Sequence, residues 1–198
     1  MTLGPKFSQA LVFAVVMLSW LAFALVILLH RKPSAGPEQQ REHTSMIGLA
    51  LQGLAYGIVW AIHRPFFSPI AATSKPAEIA LAVFTAALAI GSVWFFSAAV
   101  RALGKQWSIA ARLVEGHKLV TKGPYRIVRN PIYTGMLGML LATGLAVSHW
   151  IGLLAGIVVF AIGTWIRVRS EEKLLHGAFG AEFEEYARHV PAVVPYFF

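Results

Sequence analysis

The chain has 198 residues, of which 57% are hydrophobic and only 13% charged, with a mean hydropathy of +0.65. That balance excludes an ordinary soluble domain, and the lack of cysteine excludes disulfides, thiolate metal ligands and a cysteine nucleophile. The formal net charge of +8 does not mark a nucleic-acid binder, because Lys and Arg stand at the ends of apolar runs and in one long loop; anionic headgroups and membrane orientation account for it.

The first apolar run, residues 7–29, is uncharged and long enough to cross roughly 30 Å of hydrocarbon at about 1.5 Å per residue. A cleaved signal peptide is the competing reading, but its positive charge should precede a shorter apolar core, whereas Arg31 and Lys32 follow this one. Residues 46–62 form a second span, interrupted by only one strongly polar side chain, Gln52, and residues 79–100 form a third. The stretch from Ile132 to Ile166 is too long for one span and carries Ser148-His149-Trp150 near its middle, so it reads as a hairpin of two helices, 131–147 and 151–166.

The expected fold is therefore all-α: a polytopic bundle of five transmembrane helices in one domain covering residues 1–198, with no linker or internal repeat. Five spans put the termini on opposite sides, and 14 of the 17 Lys and Arg residues then fall on one of them. By the positive-inside rule the N-terminus is expected outside, with the 101–130 loop and the segment 167–198 in the cytoplasm. Nothing in the sequence fixes an oligomeric state.

Two segments could carry chemistry. Residues 101–130 are far more polar than their flanks, and a merely solvated connection is the plain alternative. Within it Gly123-Pro124 suggests a tight turn before Tyr125, and Asn130-Pro131 resembles a helix start with Asn as N-cap and Pro at the first helical position. Tyr133, just inside that helix, is either an interfacial aromatic or the wall of a pocket. In the second segment Arg167 and Glu171 are four apart and share one helix face. They form either a weak surface pair or two arms that engage different ligands. Leu175, Phe179, Phe183 and Tyr186 recur at near-helical spacing, broken by Gly177 and Gly180, as expected for a helix running on from the fifth span followed by an amphipathic piece. Residues 193–198 read as an interfacial anchor. The histidines His30, His63 and His149 lie at span ends without metal-ligand spacing, so no metal site is expected.

His117-Lys118-Leu119-Val120, the Gly123-Pro124-Tyr125 turn, Arg129-Asn130-Pro131-Ile132-Tyr133-Thr134-Gly135, and RVRSEEKLL followed by FGAEFEEYARHVP together give the chain its likeness to a known family. In order and placement around a helical hairpin they resemble the isoprenylcysteine carboxyl methyltransferases and their wider group, which includes phospholipid N-methyltransferases. The resemblance covers roughly Arg101 to Tyr196. It implies an enzyme dependent on S-adenosylmethionine, with a cofactor pocket on the cytoplasmic side and a lipophilic substrate arriving from the bilayer lipids. Carried over residue by residue, it implies that His117, Lys118, Leu119 and Val120 hold the cofactor largely through backbone groups. Tyr125, Asn130, Pro131, Ile132 and Tyr133 would line that pocket, Glu171 would bind the cofactor and Arg167 would orient a substrate carboxylate. The family often has Arg-His-Pro where this chain has Arg129-Asn130-Pro131, which removes any role needing a titrating imidazole there. Carboxyl O-methylation of an isoprenylcysteine-like amphiphile is the first expectation. Methylation of a phospholipid amine or another small nucleophile is the alternative, and a non-catalytic membrane sensor or transporter subunit is a more distant one.

Overall fold

The computed structural model describes residues 5–30, 38–70 and 74–194. Arg31, Lys32 and residues 195–198, most of the expected C-terminal anchor, lie outside the described residues. Among the described residues there are six α-helices: α1 (Pro5–His30), α2 (Thr44–Ala61), α3 (Lys75–Leu103), α4 (Pro131–Val147), α5 (Trp150–Phe179) and α6 (Ala181–His189). Helices α1, α2, α3 and α5 are long and apolar enough to cross a membrane. Their outward faces carry exposed Leu18, Leu21, Leu28, Val83, Trp94 and Trp165. Large apolar side chains on the outside of a bundle are what a hydrocarbon solvent permits and water does not.

Helix α4 has only 17 residues and falls short of the other four. At about 1.5 Å per residue it rises about 26 Å, somewhat less than a hydrocarbon core. Its far end is finished by an arginine from another loop. Arg64, 7% exposed, donates from Nη1 to Ser148 O at 2.6 Å and from Nη2 to Leu145 O and Ala146 O at 2.8 Å each. These are the carbonyls a helix C-terminus leaves without partners, so the guanidinium satisfies the end of α4 in the absence of a further helical turn.

Helices α2 and α5 pack closely where Gly48 and Gly163 face each other. A Cβ at Gly48 would lie 2.6 Å from both Gly163 O and Arg167 Cγ, and one at Gly163 would lie 2.8 Å from Gly48 O. Small residues let the two backbones approach this closely, and Arg167 lies against α2 in consequence. On the other side, α1 packs on α3 through Phe23, which stacks on Phe96 at 4.0 Å between ring centroids.

The all-helical expectation misses one element. β1 (Glu38–Arg41) and β2 (Arg112–Val114) pair antiparallel, with Gln40 opposite Leu113 and Arg41 opposite Arg112. This ribbon ties the approach to α2 onto the long loop after α3, and it is held at its base where Glu42 N donates to Ala111 O and Ala111 N donates to Ser45 Oγ. Just before β2, Ile109 O accepts from Arg167 Nη2 at 2.7 Å, so the loop lies against the Arg167 side chain. The tail follows its periodicity: α5 runs past the expected span end to Phe179, Gly180 at φ +50° breaks it, and α6 turns away.

Candidate functional site

A cavity of about 310 Å³ lies under the ribbon, between the ends of α1, α2, α3, α4 and α5. Its walls carry the apolar side chains of Phe23, Ile27, Phe96, Ile132 and Met136 together with the polar ones of Tyr133, Arg167 and Glu171. A smaller cavity of about 50 Å³ adjoins it, lined by Lys118, Leu119, Val120, Glu172 and Tyr186 among others. His117, Tyr125, Arg129 and Asn130 lie on the walls of both.

The polar cluster at the larger cavity is built by two helices. Tyr133, one turn inside α4 and 3% exposed, donates its hydroxyl to Glu171 Oε1 and accepts from Arg167 Nε at 2.8 Å. Arg167 also donates from Nη2 to Ile109 O at 2.7 Å and meets Glu171 Oε1 at 3.4 Å. Its Nη1 donates to Ser45 O at 3.4 Å, which occupies one of the two N–H groups on this nitrogen and leaves the other for a ligand oxygen. The Arg167 side chain is 5% exposed, whereas the Glu171 side chain keeps 30% of its surface. The spacing of four thus produces an inward-facing pair seated by a tyrosine, and a solvated surface pair is ruled out. Burial against the cavity also strengthens each of these interactions relative to water.

The expected cofactor stretch lies in a hydrogen-bonded loop. Lys118 N donates to Gln106 Oε1 at 2.5 Å. The His117 ring is half-buried with its Nδ1 unpartnered, and burial holds the imidazole below its ordinary pKa, so the ring is neutral at pH 7. Burial, with Glu171 and Tyr186 nearby, holds the Tyr125 hydroxyl well above the usual phenol range. The Tyr186 hydroxyl is likewise pushed up to about 12, chiefly by burial, and donates to Tyr125 O at 2.6 Å. Both phenols are therefore protonated donors near neutrality.

Of the residues expected from sequence, Ile132, Tyr133, Arg167 and Glu171 line the larger cavity, Lys118, Leu119 and Val120 the smaller one, and His117, Tyr125 and Asn130 both. Pro131 is fully buried and reaches neither wall. The N-cap expectation for Asn130 needs correction: its side chain makes no cap bond, and Nδ2 donates to Ala192 O at 3.1 Å. The reason is the C-terminal strand of chain, which claims the donors at the start of α4. Arg129 N donates to Pro191 O, Asn130 N to Ala192 O, and Thr134 Oγ1 to Val193 O. Val193 is accordingly stitched to α4, and the anchor reading is left to residues outside the described segment.

Sequence reasoning passed over three participants. Arg129 pairs with Glu172 at 2.9 Å and donates to Ala187 O and Val190 O, fastening α6 and the tail across the smaller cavity. Both residues sat inside the quoted motifs beside assigned ones. The third is Gln52, the lone polar interruption of the second span, which lines the larger cavity. Among the described residues no group of three or more His, Asp or Glu side chains converges as a metal site.

A bundle of apolar helices with a buried arginine, tyrosine and glutamate at one end, lining a cavity shared with apolar side chains, defines a membrane-embedded protein. Residues 80–182 match the family model described as phospholipid methyltransferase, and the chain belongs to that family. It is 38% identical over 92 residues to protein-S-isoprenylcysteine O-methyltransferase B of Arabidopsis thaliana, covering 44% of this chain and 45% of that one. It is 32% identical over 114 residues to protein-S-isoprenylcysteine O-methyltransferase of Schizosaccharomyces pombe, covering 54% and 46%. It is also 36% identical over 101 residues to the cobalt-zinc-cadmium resistance protein CzcN of Cupriavidus metallidurans, covering 47% and 43%. The chain spans about half the length of these curated relatives.

Proposed function

We propose that the protein transfers a methyl group from S-adenosylmethionine to the carboxylate of a membrane-embedded, isoprenylcysteine-like amphiphile. The observation that carries this reading is the Nη1 of Arg167, held with spare donor capacity where the polar cluster meets the apolar cavity. A carboxylate with a lipid tail matches both parts of that arrangement.

The residues suit the cofactor as well. The unpartnered His117 Nδ1 at the shared wall is free to pair with a polar ligand group, as donor or acceptor according to its tautomer, and Glu171 supplies a carboxylate against positive charge. When bound, S-adenosylmethionine supplies an electrophilic methyl group on a positively charged sulfur. His117 to Val120, Tyr125, Asn130 and Tyr133 are the residues assigned to hold it, with Glu171. Arg167 fixes the acceptor carboxylate, and Tyr133 keeps the guanidinium in place. The apolar walls exclude water while opposite charges neutralise, so alignment in a dry site does most of the work. No general base is required, because the acceptor is already ionised at neutral pH.

This reading includes five spans, with α4 as the short fourth, the C-terminal end of the bundle in the cytoplasm, residues 1–198 as one domain, and the acceptor arriving from the bilayer. The alternative, N-methylation of a phospholipid, needs a base to free the amine, and the two groups on the cavity wall able to serve, His117 and Glu171, are assigned here to the cofactor. The test measures S-adenosylmethionine binding to the purified protein and to its Glu171→Ala and Tyr125→Ala variants. A radiolabelled transfer assay then compares a prenylated cysteine with phosphatidylethanolamine. Weakened binding in both variants and label in the prenylated cysteine are expected; label in the phospholipid alone would overturn the carboxyl assignment.

A further inference from the structure

Gln52 is 1% exposed and stands on the wall of the larger cavity. Its Nε2 donates to Thr164 Oγ1 at 2.9 Å, and its Oε1 is buried without a hydrogen-bond partner. An amide oxygen left unpaired among apolar groups is costly, and polar side chains at such depth in a membrane helix mark ligand sites.

The position of the amide limits what it can meet. Thr164 precedes Arg167 by three residues on α5, and Ser45, whose carbonyl meets Arg167 Nη1, precedes Gln52 by seven on α2. Helical side chains lean toward their own N-terminus, which brings the Gln52 amide back toward the guanidinium. The two groups therefore face one cavity about 5–10 Å apart, one to two helical turns. A carboxylate on Arg167 Nη1 places the nitrogen of its own α-amino group within that interval. The plain prenyl chain of the same molecule offers no donor.

The cavity also reaches between two of the membrane helices. Helices α1 and α2 meet where the rings of Trp20 and Tyr56 pack edge to face at 5.0 Å. On the Arg167 side of that contact the cavity separates them, with Phe23 and Ile27 on one flank and Leu49 and Gln52 on the other.

We propose that Gln52 is a specificity-determining residue whose Oε1 accepts a hydrogen bond from an N–H next to the reacting carboxylate. The acceptor is then a lipid-bearing α-amino acid derivative, and a simple lipid acid is a poorer one. This inference rests on the carboxyl-methylation reading above.

The test uses the full-length protein and two acids that differ in the acetamido group, N-acetyl-S-farnesylcysteine and S-farnesyl-3-mercaptopropionate. Their kcat/KM values are compared in the wild type, in Gln52→Leu and in Thr164→Val, which removes the anchor of the amide without altering the cavity wall. The wild type is expected to prefer the cysteine derivative about tenfold, mainly through KM. Gln52→Leu should bring the ratio close to one, and Thr164→Val should leave it between. A wild-type ratio near one overturns the proposal, as does a preference that survives both substitutions; in either case the carboxyl-methylation reading stands. Methylation of neither acid overturns both. Should Gln52→Leu fail to fold, an undiminished preference in Thr164→Val counts against Gln52.

Discussion

Arg167 and Glu171 are joined twice, directly at 3.4 Å and through the Tyr133 hydroxyl, which accepts from Arg167 Nε at 2.8 Å and donates to Glu171. The hydroxyl belongs to a different helix from the charges it connects, so it sets where both arms sit relative to α4. Tyr133→Phe removes the link and leaves the ring that packs under the guanidinium. A hydrogen bond to a charged group is worth about 1.5–3 kcal/mol. The expected loss in kcat/KM for methyl transfer is therefore about 10- to 100-fold, and a value within twofold of wild type would show that the link is dispensable.

Gly48 places Arg167. The Cβ of an alanine there would overlap Arg167 Cγ and Gly163 O at 2.6 Å each, and backbone cannot yield as a flexible side-chain end can. Gly48→Ala should destabilise the bundle by about 1–3 kcal/mol, the usual cost of overpacking. It should also reduce transfer by displacing the guanidinium. Thermal unfolding in detergent reads the first effect and the transfer assay the second. Unchanged midpoint and rate would mean that α2 and α5 separate at no cost.

Arg64 stands at the other end of α4, with a role in stability alone. Removing it strips partners from Leu145 O, Ala146 O and Ser148 O at once. Arg64→Ala should cost about 2 kcal/mol or more, since each abandoned buried acceptor costs about 1–3 kcal/mol. Arg64→Lys should recover only part of that, because an ammonium cannot span the same fork. Cofactor affinity, measured by calorimetry, should remain near wild type in the folded fraction.

His117 predicts an acid-side pH dependence. Its pKa is depressed in the folded protein, so the neutral ring is favoured by folding. The associated stability is fully present above the unfolded value of about 6.5 and is lost as pH falls through the lower folded value. Cofactor binding should be level above neutrality and weaken as the ring gains a second proton and a positive charge beside the cationic cofactor. His117→Gln should flatten the acid limb; an identical limb in that variant would assign the titration to another group.

Hydropathy made the membrane helices legible because burial in lipid demands long uncharged runs, and α1, α2, α3 and α5 satisfy that demand without help from tertiary contacts. The Glu38–Arg41 strand was not legible. It is short, polar and paired with residues more than 70 positions away, and neither propensity nor alternation announces such a partner. Arg167 and Glu171 could be put on one face from spacing, but their orientation depends on Tyr133 and on Gly48, which no local pattern connects to them. Asn130 looked like a cap because the Asn-Pro pair is a good helix start. The backbone does begin a helix there, while the side chain answers to Ala192.

The matched family segment, residues 80–182, contains His117, Tyr133, Arg167 and Glu171. Four cavity-wall residues, Phe23, Ile27, Leu49 and Gln52, lie outside it, on α1 and α2. Under the proposed chemistry, the methyl-donor end and part of the acceptor end of one site are thus encoded in separate stretches of chain. Grafting a foreign pair of opening helices onto this scaffold becomes a way to redirect which lipid is modified while the donor machinery stays as it is.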